Sequence, residues 1–177
     1  MTEPAANYIP IDLQKRFHAQ AIRVWIITAA VVLVWLGAIV AAPILSSSSL
    51  RGISWPIYTF FSYICHQISD RSIHIAGHQL AVCSRCFGVY VGLAAGILVY
   101  PLWRSIDEIE PIPRFWLFLS LIPISVDWSL TIFGMWENTH LSRFITGMLL
   151  GATCAIYIVP ALVEIVRNLS AKRRHAN

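Results

Sequence analysis

Three of the four cysteines in this chain lie close together, at positions 65, 83 and 86. Cys65 is followed directly by His66, and Cys83 and Cys86 form a Cys-x-x-Cys pair. Three thiolates and one imidazole are a ligand set that holds zinc tetrahedrally, and thiolates also suit copper(I). A Cys-x-x-Cys pair at a helix start also favours thiolate, because the helix N-terminus lowers the thiol pKa. The spacing therefore predicts a metal site, zinc first and copper as an alternative.

Other interpretations of the same segment stay open. His74 and His78 are four residues apart, so on a helix they would share a face and could replace His66 as the imidazole ligand. In an oxidising compartment the clustered cysteines could instead form a disulfide, with Cys83 and Cys86 as a redox pair and Cys65 as their exchange partner. No cofactor would then be needed, although such oxidoreductases generally use a second cysteine pair.

A second polar group accompanies the cysteines. Asp127 lies inside an apolar run, where a charge costs about 2.5–3.5 kcal/mol on insertion scales, so it needs a partner. We expect an ion pair with Arg143, with a Glu137–Arg143 pair as the alternative. The predicted cluster comprises Asp127, Glu137, Asn138, Arg143, Arg71 and Arg85. It would act as a clamp between helices or as a proton or ligand site. Arg71 and Arg85 could bind an anion, lower the pKa of a nearby thiol or pair with Asp70.

The composition identifies the elements that must position these groups. Hydrophobic residues make up 57% of the 177 residues and charged residues 12%, about half the share of a soluble domain. This excludes a soluble globular protein and a disordered one, and predicts an all-α integral membrane bundle in the lipid bilayer. Four apolar runs are long enough to span it, at residues 24–45, 85–103, 115–134 and 141–166. A shorter run, residues 53–64, is expected to be an interfacial or re-entrant segment.

The basic residues predict the orientation of this bundle. Nine Lys and Arg fall in the N-terminal segment, the second connection and the tail, and four fall on the opposite side. The positive-inside rule then makes both termini cytoplasmic, with segment 46–84 facing outward. The chain divides into a cytoplasmic segment 1–23, a single transmembrane domain 24–166 and a basic cytoplasmic tail 167–177. Because the charge reports orientation, the net +4 does not indicate nucleic-acid binding.

Glycines recur every fourth residue in two of the spans, at positions 88, 92 and 96 and again at 147 and 151. Small residues at this spacing let helices approach closely. They serve packing within one bundle, and equally a homo-oligomer or a larger membrane complex.

The motifs resemble the membrane family catalogued as domain of unknown function 2085. The first block carries Cys65-His66-Gln67, Asp70-Arg71-Ser72, Gly77, Gln79-Leu80, Val82-Cys83-Ser84-Arg85-Cys86, Gly88, Tyr90 and Gly92. The second carries Pro123, Asp127, Glu137-Asn138, Arg143, Gly147 and Gly151. The sequence departs from the family pattern at Ala81 and Phe87, and neither position is a candidate ligand. The resemblance implies a small polytopic protein of prokaryotic membranes in which both blocks form one module.

Three functions follow as expectations. The first is a membrane protein with a Cys/His metal site at its extracytoplasmic face, structural or metal-handling. The second is a membrane thiol–disulfide oxidoreductase. The third is a non-catalytic membrane scaffold subunit.

Overall fold

The computed structural model describes residues 10–48, 50–110 and 112–176, and side chains as far as Lys172. Residues 1–9 of the predicted N-terminal segment, and the side chains of Arg173 and Arg174 in the predicted basic tail, lie outside the described residues. The elements in chain order are α1 (Ile11–Ser47), α2 (Arg51–Ser62), a 3-10 turn (Ser69–Arg71), β1 (His74–Ile75), β2 (His78–Gln79), α3 (Ser84–Trp103), α4 (Phe115–Ile132) and α5 (His140–Ala176).

Four of these helices, α1, α3, α4 and α5, are long and apolar enough to cross a membrane. The predicted all-α bundle of four transmembrane helices is therefore confirmed. The apolar run at residues 53–64 lies mostly on a short helix, α2, of 12 residues, which at 1.5 Å per residue is about 18 Å long. Helices α1 and α5 each have 37 residues and continue well beyond their predicted apolar spans, because the polar flanks are helical too.

Helices α3 and α5 pack backbone against backbone along the two glycine rows. A Cβ atom built on Gly92 would lie 2.0 Å from the Met148 carbonyl oxygen, and one on Gly151 would lie 1.9 Å from the Val89 carbonyl oxygen. Only glycine allows this approach, so both rows predicted from the sequence serve contacts within the chain.

Polar contacts fix which parts of the chain share an end of the bundle. The Gln20 amide donates to the Val166 carbonyl over 3.2 Å and to the Ser170 hydroxyl over 2.8 Å. His18 Nδ1 lies 2.6 Å from a carboxylate oxygen of Asp107 in the α3–α4 connection. The start of α1, the α3–α4 connection and the end of α5 therefore lie together. The α2–β1–β2 segment and the α4–α5 connection lie at the opposite end.

The apolar core at this opposite end is built where α2 folds back on α1. The Trp35 and Phe61 rings meet edge to face with centroids 5.2 Å apart. Ile39, Leu80 and Cys65 are buried in the same cluster. Cys65, one of the candidate ligands, is therefore positioned by the apolar core.

Candidate metal centre

The three clustered cysteines come together where α2 ends and α3 begins. Cys65 follows α2, Cys83 caps the N-terminus of α3 and Cys86 lies in its first turn. The three Sγ atoms all lie within 4.8 Å of one another. In a tetrahedral zinc site with Zn–S bonds of about 2.3 Å, sulfur atoms lie about 3.8 Å apart. Small side-chain rotations would thus bring the trio to ligating distances.

Hydrogen-bond donors surround the sulfur atoms. The backbone N–H of Cys83 donates to Cys65 Sγ over 3.2 Å. Hydrogen bonds from the thiols of Cys65 and Cys86, together with the backbone N–H groups of Cys86 and Arg85, lower the pKa of Cys83 well below its ordinary value. Such donors stabilise thiolate, the form of cysteine that binds metal.

An amide network positions Cys65 against the start of α3. Gln67 has a positive φ of 50°, which turns the chain back after α2. Its side-chain amide donates to the Tyr58 and Ala81 carbonyl oxygens, each over 2.8 Å. The Gln79 amide in turn donates to the Gln67 carbonyl over 3.1 Å. Reasoning from the sequence assigned no role to these glutamines, although both stand in the first motif block and that position was their only signal.

The histidines are arranged differently from the cysteines. His66 is exposed and lines the same cavity as the sulfur trio, but it is not part of the close group of sulfur atoms. His74 and His78 do not lie on a helix, where they would have shared a face: the two residues lie on β1 and β2 of a hairpin. Positive φ at Ala76 and Gly77 makes its tight turn. His74 pairs with Gln79 and Ile75 with His78, so the two imidazoles belong to opposite faces of the hairpin.

The buried carboxylate has another partner than the one expected from the sequence. Asp127 is 8% exposed and accepts hydrogen bonds from Arg85 over 2.5 Å and from the Asn138 amide over 2.9 Å. Arg143 donates to the Asn138 side-chain oxygen over 2.7 Å and so reaches Asp127 only through that amide. The expected direct Asp127–Arg143 pair is wrong: Arg85, in the first turn of α3, binds the carboxylate, and Arg143 binds the Asn138 side chain that lies between them.

The remaining expected pairings do not form in the described part of the chain. Glu137 is exposed and makes no ion pair there, so the alternative Glu137–Arg143 pair is also absent among these residues. Arg71 makes no ion pair with Asp70 in the same region. The carbonyl of Arg71 instead accepts a hydrogen bond of 3.0 Å from the hydroxyl of buried Ser84.

One cavity of about 280 Å³ connects the cysteines to the polar cluster. The three site cysteines lie on one side of it. Its polar lining also includes His66, Gln67, Arg71, Arg85, Asn138 and Arg143. The cysteines and part of the predicted polar cluster therefore border one cavity, at the end of the bundle away from the start of α1 and the end of α5. Glu137, His74 and His78 do not line it.

Comparison with known proteins also groups the cysteine block with the later polar block. The family profile described as predicted membrane protein (DUF2085) matches residues 65–157, a range that contains both motif blocks. An uncharacterized protein of Methanocaldococcus jannaschii is 38% identical over 121 residues, which cover 68% of this chain and 78% of the relative. An uncharacterized protein of Methanothermobacter thermautotrophicus is 32% identical over 98 residues, covering 54% of this chain and 85% of that relative. No solved structure matches the chain. The chain therefore belongs to the family of predicted membrane proteins DUF2085.

Proposed function

We propose that this membrane protein binds a soft metal ion, zinc in the first place, through the sulfur atoms of Cys65, Cys83 and Cys86. The observation that carries the proposal is the approach of all three Sγ atoms to within 4.8 Å of one another. Cys65 is 18 residues from Cys83, so the fold rather than local sequence brings it there. A fourth ligand completes a zinc site, and His66, which lines the same cavity, is the candidate from the predicted set.

The metal has two possible uses in this position. A bound ion would join the end of α2 to the start of α3, and so stabilise the short hairpin segment between them. The adjoining cavity would also give a ligand or an acceptor access to the ion. Copper(I) is the alternative metal, since thiolates are the soft ligands that it prefers.

The proposed location is the extracytoplasmic face of a prokaryotic plasma membrane. The predicted cytoplasmic end carries nine basic residues in the sequence and the cysteine end four. Because basic residues are retained on the cytoplasmic side, this asymmetry places the termini in the cytoplasm and the metal centre outside.

A second candidate function is thiol–disulfide exchange. The closeness of the same sulfur atoms favours it, because neighbouring thiols can exchange disulfides. All four cysteines are free thiols in the structure. Attack of the Cys83 thiolate on a partner disulfide would form a mixed disulfide, which Cys86 would resolve. Two electrons and two protons would then pass to the partner, which leaves as a dithiol. Cys65 would exchange with the resulting Cys83–Cys86 disulfide.

Elemental analysis and thiol counting separate the two candidates. The purified full-length protein in detergent should hold about one zinc per chain, and denaturation with a chelator should then release four reactive thiols. Cys83→Ser should lose most of the metal. Cys154→Ser is the matched control, because Cys154 lies in α5 outside the sulfur group and its loss should leave the metal content unchanged. Absence of metal with two thiols missing would overturn the metal proposal and support the redox one. Four free thiols that take up no added zinc and do not react with an added disulfide would overturn both.

A further inference from the structure

We propose that the cavity beside the three cysteines binds a phosphate group, which Arg71, Arg85 and Arg143 hold by ion pairs. All three arginines line this cavity. They come from three elements that are far apart in sequence: the 3-10 turn, the first turn of α3 and the first turn of α5. The inference goes beyond the metal proposal and does not require a bound metal.

The charge balance of the cavity favours an anion. None of the described residues that line it is an aspartate or a glutamate. The nearest carboxylate in the network, Asp127, is bound to Arg85 and compensates one of the three positive charges. A divalent ion held by three thiolates would carry a single negative charge and compensate a second. One guanidinium charge therefore remains unbalanced with the metal bound.

Two of the arginines are held in place while keeping donors free. Asn138 uses its amide nitrogen on Asp127 and its oxygen on Arg143, so it fixes the spacing of these side chains. Arg143 makes this contact through Nε, which leaves its two terminal nitrogens for a ligand. Nε of Arg85 is buried without a hydrogen-bond partner among the described residues. A phosphate oxygen is the acceptor that matches such a planar set of donors.

The size and the walls of the cavity limit the kind of ligand. A volume of about 280 Å³ lies at the lower end of the range for small-molecule sites. One wall is formed by Trp128 and Ile132 of α4, which are 57% and 58% exposed on the apolar surface of a membrane helix. A phosphate in this cavity could therefore belong to a free anion or to the headgroup of a lipid whose chains lie along α4.

Binding measurements with charge-removing variants test the proposal. The probes are inorganic phosphate, followed by titration calorimetry, and dioleoyl phosphatidylglycerol against dioleoyl phosphatidylcholine, followed by native mass spectrometry of the full-length protein. Arg71→Gln and Arg143→Gln should each weaken binding about tenfold or more, since each removes a charged hydrogen bond. Arg51→Gln is the matched control, because Arg51 is an exposed arginine near the same end of the bundle and does not line the cavity.

The pattern of binding identifies the source of the phosphate. Binding of inorganic phosphate that depends on the two cavity arginines supports a free anion. Retention of phosphatidylglycerol over phosphatidylcholine with the same dependence supports a lipid headgroup. The proposal is overturned if neither probe binds the wild-type protein, or if Arg51→Gln weakens binding as much as the cavity variants. Cys83→Ser, tested in parallel, separates this result from the metal proposal, since it should remove the metal and leave phosphate binding in place.

Discussion

Replacement of Gly147 by alanine should force α3 away from α5 beside the candidate site. A Cβ atom at this position would lie 2.3 Å from the Arg85 carbonyl oxygen, whereas ordinary contacts begin at 3.4 Å. The two backbones must therefore separate by about 1.1 Å, the difference between these distances. Overpacking of this kind costs about 1–3 kcal/mol, and the gain in helix propensity from Gly to Ala is at most about 1 kcal/mol. We expect a net loss of about 1–2 kcal/mol in the free energy of unfolding.

The same displacement should reach the proposed metal centre. The Arg85 carbonyl belongs to the turn of α3 that carries Cys86, so moving it shifts this cysteine relative to Cys65. It also lengthens the 2.5 Å contact between Arg85 and Asp127. Gly147→Ala should therefore lose zinc to a competing chelator at lower chelator concentration than the wild-type protein.

Thermal unfolding in detergent, followed by tryptophan fluorescence, measures the loss of stability. Gly37→Ala is the control, because Gly37 lies within α1 and a Cβ atom there would meet no other atom within 4 Å. This variant should unfold at the wild-type temperature or slightly above it. If Gly147→Ala unfolds at the same temperature as Gly37→Ala, the backbone contact between α3 and α5 does not have the closeness described above.

Two further substitutions test the polar network. Asp127→Ala should lower the free energy of unfolding by about 3–5 kcal/mol, because it leaves the charge of Arg85 uncompensated in a partly buried site. A thermal midpoint equal to that of the wild-type protein would contradict this. Gln67→Ala should cost about 2 kcal/mol, since it removes two hydrogen bonds of 2.8 Å to backbone carbonyls, and should make Cys65 react faster with a thiol reagent. Gln14→Ala, on the exposed surface of α1, is its control, and equal reactivity of Cys65 in both variants would argue against the positioning role of Gln67.

The four membrane helices could be predicted from the sequence because hydropathy is a local property of a segment. The pairing of Cys83 with Cys86 is local as well, since it needs only the first turn of a helix. The residue type of Cys65 predicted that it would join this pair, but the sequence did not show how the chain brings it there. It depends on a turn at Gln67 and on strands of two residues each, which are too short to show an alternating pattern.

The partner of Asp127 could not be read from periodicity. A helical period tells which residues share a face, but not which neighbouring helix that face meets. Arg143 opens the helix that follows Asp127 in the chain and was therefore the natural choice, whereas the structure brings Arg85 to the carboxylate. The histidine pair was misplaced for a similar reason. Ala76 adopts a positive φ, for which its residue type gives no signal, and only Gly77 beside it indicated a turn.

The packing of α3 against α5, with α4 between them in the chain, also determines the order in which the site is assembled. Residue 103 ends α3 and residue 140 begins α5, so at roughly 5–20 residues per second a ribosome needs a few seconds to make the connection. During that interval the row of glycines on α3, the helix that follows Cys83 and contains Cys86, is not yet covered by the glycine row of α5. Helix α5, which is made after α3 and α4, therefore completes the cavity. A chain that stopped after α4 would contain every site cysteine and still lack Arg143 and the glycine row against which α3 packs.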